Sequence, residues 1–205
     1  MNSSIVAIGE CGIDSTSSWS IDYQLYLFKA QLNIAAESNL PVVLHARGNN
    51  AFETMLNDLK IHLHPTHQVH WHCINSKTNL NVVSDFLNYF QYGFIGFDGS
   101  MLTSNDNDCQ KMFHNWIFTQ ANIIDRIIIE TDFPFLRPST LDANQYNPIS
   151  GIATTAQQIV NILRIKNCNV KKIIDHSNTY QHFIIFLITF HEKKVCHSQS
   201  HSEPT

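Results

Sequence analysis

The chain has 205 residues, enough for one domain with a full core, and its 43% hydrophobic content, with 13 phenylalanines, is that of an ordinary globular protein. A formal charge of −4 excludes a global basic field for gathering nucleic acid. Any phosphate-bearing partner must then be met by bound cations or a few local Arg and Lys side chains. Five cysteines, at 11, 73, 109, 168 and 196, are odd in number and form no CxxC pair, which argues for a reducing compartment and against a disulfide scaffold or a disulfide-linked partner.

Strand and helix patterns alternate along the chain, predicting an α/β architecture with a parallel sheet. The opening run MNSSIVAIGE has no basic segment leading into an apolar core, so no secretion signal is read there. Within it SIVAIGE, residues 4–10, reads as a short buried strand ending on Glu10. A helix from about Ser20 to Ser38 places Ile21, Leu25, Phe28, Leu32 and Ala35 at three- and four-residue spacing. PVVLHAR, 41–47, is the second strand, with His45 and Arg47 on one face, and a helix around 50–60 follows.

QVHWHCI, 68–74, is the third strand: His70 and His72 share a face, His72 nearer the carboxyl end, and Cys73 turns away from His72 into the core. A helix over 78–90 leads to the glycine-interrupted fourth strand FIGFDGS, 94–100. Ser104 is an expected N-cap for the helix carrying Met112, Phe113, Trp116 and Ile117. The fifth strand lies in RIIIETDFPF, 126–135, whose continuous β-branched run suits a strand buried on both faces. A loop of about eighteen residues reaches Gly151, and loops of that length are more often functional than idle. Helical patterns over 152–166 and 169–186 close a domain expected to span 1–190, and the polar tail 191–205 is expected to be disordered. FIIFLITF, 183–190, is far short of the roughly 20 residues of a membrane helix, so a cytoplasmic or nuclear location without a membrane partner is expected.

Side-chain alternation puts Glu130 and Asp132 on one face, and two acids at the end of a buried strand are costly unless compensated. Two readings stand: a metal or catalytic site, since ligands bind at the carboxyl ends of parallel strands, or a helix-capping Asp after a core strand. Four of the five strands end on a potential ligand, namely Glu10, His45, His72 and Asp132. Such a His and carboxylate set suits Zn²⁺, Mn²⁺ or Fe, and an oxygen-rich subset suits Mg²⁺. Plainer accounts remain: Glu10 as a solvated strand end, His45 and Arg47 as a hydrogen-bonded pair, Arg47 as a surface ion pair. His62, His64 and His67 read as loop residues, His70 as a core group or a support for a ligand, and His191, His197 and His201 as solvated.

GECGID at 9–14, LPVVLHAR at 40–47, VHWHC at 69–73, GFIGFDG at 93–99 and ETDFPFLRP at 130–138 together resemble the successive motifs of the TatD-related deoxyribonucleases, metal-dependent hydrolases with a TIM-barrel fold. The similarity runs from about residue 5 to 186. It implies hydrolysis of phosphodiester bonds in DNA by water activated at one or two divalent metal ions (Mg, Mn or Zn). Glu10 then matches a metal-bridging carboxylate, His45 and His72 match metal-binding histidines, and Asp132 matches the acid that binds metal and takes the water's proton. Arg47 is placed to touch a phosphate, and Glu130 to orient ligands from behind.

The chain departs from the family at Ile74, Asn75 and Ser76, where a Phe and a glycine-containing turn are usual. It departs again at Ser15, in place of an aromatic residue, and at Asp98, in place of a Thr, which adds negative charge beside a site meant for phosphate. The family's opening strand, with its His-x-His pair, has no counterpart here, so the resemblance implies a (β/α)8 barrel of which about five units are present. The missing His pair suggests a truncated, catalytically impaired fragment acting through its exposed sheet edge as an interaction module, and the acidic balance of the chain is consistent with a metallohydrolase of small esters or amides. Metal identity, exo- or endonuclease action, strand preference and oligomeric state are left open.

Overall fold

The computed structural model describes residues 5–101, 107–132, 136, 138, 151–163 and 170–181. Strands β1 (Ile8–Asp14), β2 (Val42–Arg47), β3 (Gln68–Trp71), β4 (Tyr92–Phe97) and β5 (Ile127–Ile129) alternate with helices α1 (Ile21–Ser38), α2 (Ala51–His62), α3 (Leu80–Tyr89) and α4 (Asn107–Thr119). Helices α5 (Gly151–Leu163) and α6 (Val170–Gln181) follow. The sheet order is β1-β2-β3-β4-β5 and all four pairings are parallel. Each strand therefore lies beside its neighbour in sequence, the arrangement of consecutive βα units in a TIM barrel. Ser104, the loop over 139–150 and the tail 191–205 lie outside the described residues.

One face of the sheet is covered by helices. Leu44, Trp71, Ile95 and Ile127 are register partners across four strands, and all are buried in one cluster with Phe28 and Leu32 of α1, Met55 and Leu59 of α2, Phe86 of α3 and Phe113 of α4. Trp71 is the centre of this layer: its ring stacks on Phe52 at 4.9 Å and meets Phe86 edge-on at 5.1 Å. The alternate residues Val43, His70 and Phe94, also register partners, are buried but stand outside that cluster. A period of two puts them on the opposite face. His70 and the residues beyond it on that face build the site.

Local chemistry fixes the element ends. Ser20 caps α1 by accepting from the Tyr23 amide, and Asn79 caps α3 by accepting from the Val82 amide. Arg126, just before β5, donates to the carbonyls of Gly93 (2.5 Å), Leu87 (3.2 Å) and Phe90 (2.6 Å), tying the end of α3 and the start of β4 to β5.

The first strand differs from its expected span. It runs over Ile8–Asp14 rather than ending on Glu10, because the pairing with β2 shifts between Ile8 and Cys11 and then continues to Asp14. Gly9 permits this bulge: its φ is +151°, and a Cβ there would come within 2.6 Å of the Val43 carbonyl oxygen. β4 likewise begins earlier and ends at Phe97, before Asp98. His62 is the last residue of α2 rather than a loop residue, its Nδ1 2.7 Å from the Asp58 carbonyl.

Candidate metal centre

The ladder continues past the ends of the short strands, and this continuation aims the site. The His72 amide donates to the Leu44 carbonyl (3.0 Å), and the Glu130 amide to the Phe97 carbonyl (3.0 Å). His72 therefore keeps the facing of His70, and Glu130 that of Ile128, which brings both side chains to the face opposite the helices. Glu130 fills the space above Gly96, where a Cβ would strike its carboxylate.

His72 is the hub. Its Nδ1 lies 2.8 Å from Glu130 Oε2, and its Nε2 lies 3.7 Å from Glu10 Oε1 and 4.0 Å from Asp132 Oδ1. His45 joins from β2, with Nδ1 3.8 Å from Glu10 Oε2 and Nε2 3.6 Å from Asp14 Oδ2. Donor atoms of Glu10, His45 and His72 all lie within 4.8 Å of one another, as do those of His72, Cys73 and Asp132. Glu10 from inside the bulged strand, His45 from two positions before the end of β2 and His72 from just past β3 thus form one group, and Asp132 from just past β5 joins it through His72. Asp132 takes a left-handed backbone (φ +47°), which no alternation rule covers.

Three side chains stand where the sequence did not place them. Cys73 does not turn into the core: a backbone φ of +55° breaks the alternation after His72, so its Sγ lies 2.8 Å from His72 Nε2 and its amide donates to Glu130 Oε1 at 2.6 Å. Asp98, read only as added negative charge beside the site, is fully buried next to Cys73 and Glu130. Asp14 was read only as part of a motif, yet it links His45 to Arg47, whose Nη1 is 3.4 Å from Asp14 Oδ2. Arg47 is accordingly ion-paired at the rim, with 56% of its side chain exposed. Glu130, expected to orient ligands from behind, lies against His72 Nδ1 and also touches His70 and Cys73.

Electrostatics follow from this crowding. Burial alone would lower His72, but Glu130, Glu10 and Asp132 around it push its pKa up to about 10. Burial would raise Glu130, but His72 and His70 hold it down at about 2. His70, wholly enclosed, is lowered to about 4 by burial, against the pull of Glu130. Burial also lowers His45, against the pull of Glu10. Desolvation and the neighbouring Glu130 raise Asp98 and the Cys73 thiol. For Asp14, burial acts upward, but hydrogen bonds from Thr16 and the charge of Arg47 outweigh it and lower its pKa.

The donor set fits a divalent metal ion. Carboxyl groups of Glu10, Glu130 and Asp132 crowd one imidazole, so negative charge is in surplus, and two histidine nitrogens converge with carboxylate oxygens. Glu10, His45, His72 and Asp132 are the residues that would hold it, with Glu130 orienting His72 through Nδ1.

Consecutive parallel βα units with donors gathered at the carboxyl ends of the strands define a protein of the TIM-barrel class. An uncharacterized amidohydrolase from Saccharomyces cerevisiae has a similar fold, with a TM-score of 0.62 at 16% identity, covering 86% of this chain and 64% of that one. The family model described as TatD related DNase matches residues 1–183, and the chain belongs to that family. Its relatives include the 3'-5' ssDNA/RNA exonuclease TatD of Erwinia tasmaniensis, 35% identical over 65% of this chain and 48% of the relative. A putative deoxyribonuclease TATDN1 homolog of Enterocytozoon bieneusi is 31% identical over 82% of this chain and 55% of the relative. The 3'-5' RNA nuclease TATDN2 of Homo sapiens is 28% identical over 65% of this chain and 16% of that protein. The chain thus spans about half the length of the first two of these relatives, and less of the third.

Proposed function

We propose that the chain is a metal-dependent nuclease that hydrolyses phosphodiester bonds in DNA, with Glu10, His45, His72 and Asp132 as metal ligands and Asp132 as the proton acceptor. The observation that supports this reading is that Glu10, His45 and His72 form one donor group and that Asp132 approaches the same His72 nitrogen as Glu10. A bound divalent ion supplies a water of lowered pKa and a positive centre for the phosphate oxygens. Asp132, 28% exposed at the open side, is reachable by solvent and accepts the proton of the attacking water. Glu130 keeps His72 turned with Nε2 toward the ions' position by holding Nδ1. Arg47, already paired with Asp14, offers its remaining N–H groups to a phosphate at the rim.

The test is cleavage of end-labelled DNA and RNA oligonucleotides by the metal-stripped chain refilled with Mn²⁺, Mg²⁺ or Zn²⁺. Cleavage of DNA is expected, falling by about 10²-fold or more in Asp132→Asn. Metal-loaded protein that cleaves neither polymer, yet hydrolyses small esters or amides, would sink the substrate assignment. An exposed apolar stripe on α1, formed by Tyr23 (43% exposed), Leu27 (42%) and Ile34 (53%), favours a second reading as an interaction module. Protein that binds no metal but associates through α1 would support it instead.

A further inference from the structure

We infer that Cys73, Asp98 and Glu130 form a second cation site, behind the one centred on Glu10, His45 and His72, that takes a thiophilic divalent ion such as Zn²⁺. Donor atoms of these three side chains lie within 4.8 Å of one another. They come from three adjacent segments: the turn after β3, the residue after β4 and the residue after β5. The positive φ of Cys73 turns its thiol toward the acids, and the 2.6 Å bond from its amide to Glu130 Oε1 fixes that turn.

Asp98 provides the independent observation. It is 0% exposed, its Oδ1 accepts from the Ser100 amide at 2.5 Å, the Cys73 thiol is the side chain that faces the carboxyl group, and Oδ2 is enclosed without a hydrogen bond of good geometry. A buried carboxylate oxygen left without a good hydrogen bond is costly, and a second acid beside it adds to the cost. A cation between Asp98, Glu130 and the sulfur relieves both. Mg²⁺ and Ca²⁺ prefer all-oxygen sites, whereas thiolate with carboxylate suits Zn²⁺. On binding, the Cys73 S–H bond breaks, its proton leaves to solvent and the sulfur lone pair goes to the ion, with no change of oxidation state. The site does not depend on which substrate the chain hydrolyses.

Cobalt reports it. The full chain refilled with Co²⁺ should show a near-ultraviolet thiolate-to-cobalt charge-transfer band that is absent in Cys73→Ser. Asp98→Asn should weaken the affinity read from that band by about tenfold or more. Glu10→Gln, which alters only the neighbouring donor group, should leave the band in place. A band that disappears in Glu10→Gln and ignores Asp98→Asn would assign Cys73 to the neighbouring site and overturn the proposal. Cobalt bound at one equivalent or more with no charge-transfer band would overturn it too, while leaving the nuclease reading intact. Alkylation mapped by mass spectrometry needs no variant: Zn²⁺, but not Mg²⁺, should protect Cys73 in the unaltered chain, and equal labelling with and without Zn²⁺ would count against the site.

Discussion

At the scale of single residues, the chemistry turns on a proton held by His72. Its pKa is raised from 6.5 to about 10, so its contribution to stability is complete below pH 6.5 and is lost as pH rises through 10. Glu130, lowered from 4.5 to about 2, contributes above pH 4.5 and loses that contribution as pH falls toward 2. His70, lowered from 6.5 to about 4, opposes the fold as pH falls below 6.5, because only the unfolded chain then gains its proton. The metal-free chain should therefore be most stable near pH 6.5 as far as these three groups decide it, which chemical denaturation across pH 4 to 10 would measure. Metal binding must displace the His72 proton, so affinity should rise by up to about tenfold per pH unit between pH 6 and 8. Calorimetric titration in buffers of different ionisation enthalpy would count the released proton, and a pH-independent affinity would refute the role of His72.

Among the elements, the ends of β4 and β5 position the hub more than the strands themselves. Glu130 occupies the volume above Gly96, so Gly96→Ala forces the carboxylate away from His72. The expected result is a loss of about 1–3 kcal/mol in denaturant stability, together with weaker metal binding. Unchanged values on both counts would mean that Glu130 does not hold His72. His45, His72 and Glu130 were legible in the sequence because regular alternation carries through them, as the ladder bonds of His72 and Glu130 attest. Glu10 was recognised as a candidate ligand but misplaced, since a bulge at Gly9 leaves no mark in a hydrophobic pattern. Cys73 was misread for a related reason: one left-handed residue reverses a side chain, and nothing in VHWHC announces it. Asp98 and Asp14 gain their place in the site from neighbours far away in sequence, Glu130 and Cys73 for the first and Arg47 and His45 for the second.

For the molecule as a whole, the alternating pattern predicted five parallel strands, while their sequential order followed only from the resemblance to a barrel family, since alternation alone also allows a doubly wound sheet. The exposed apolar positions of α1 lie off the stripe that the pattern picked out, and Ile21, read as part of that stripe, is itself 42% exposed. Tyr23, Leu27 and Ile34 recur at four- and seven-residue spacing and remain exposed among the described residues. Leu27→Lys combined with Ile34→Lys should lower self-association of the purified chain without loss of helix, read by sedimentation and circular dichroism. Undiminished association would show that another surface is responsible.

Among the described residues the first and last strands of the sheet do not pair with each other. Glu10 and Asp132, 122 positions apart, nevertheless both approach the same imidazole nitrogen. An ion shared by them would act as a clasp, closing a loop of that length and removing chain entropy worth on the order of 5 kcal/mol from the unfolded ensemble. The two margins of the sheet would then open together or not at all. Amide exchange in β1 and β5 should slow by a common factor when metal is added, while exchange confined to β1 would mean the clasp does not reach across.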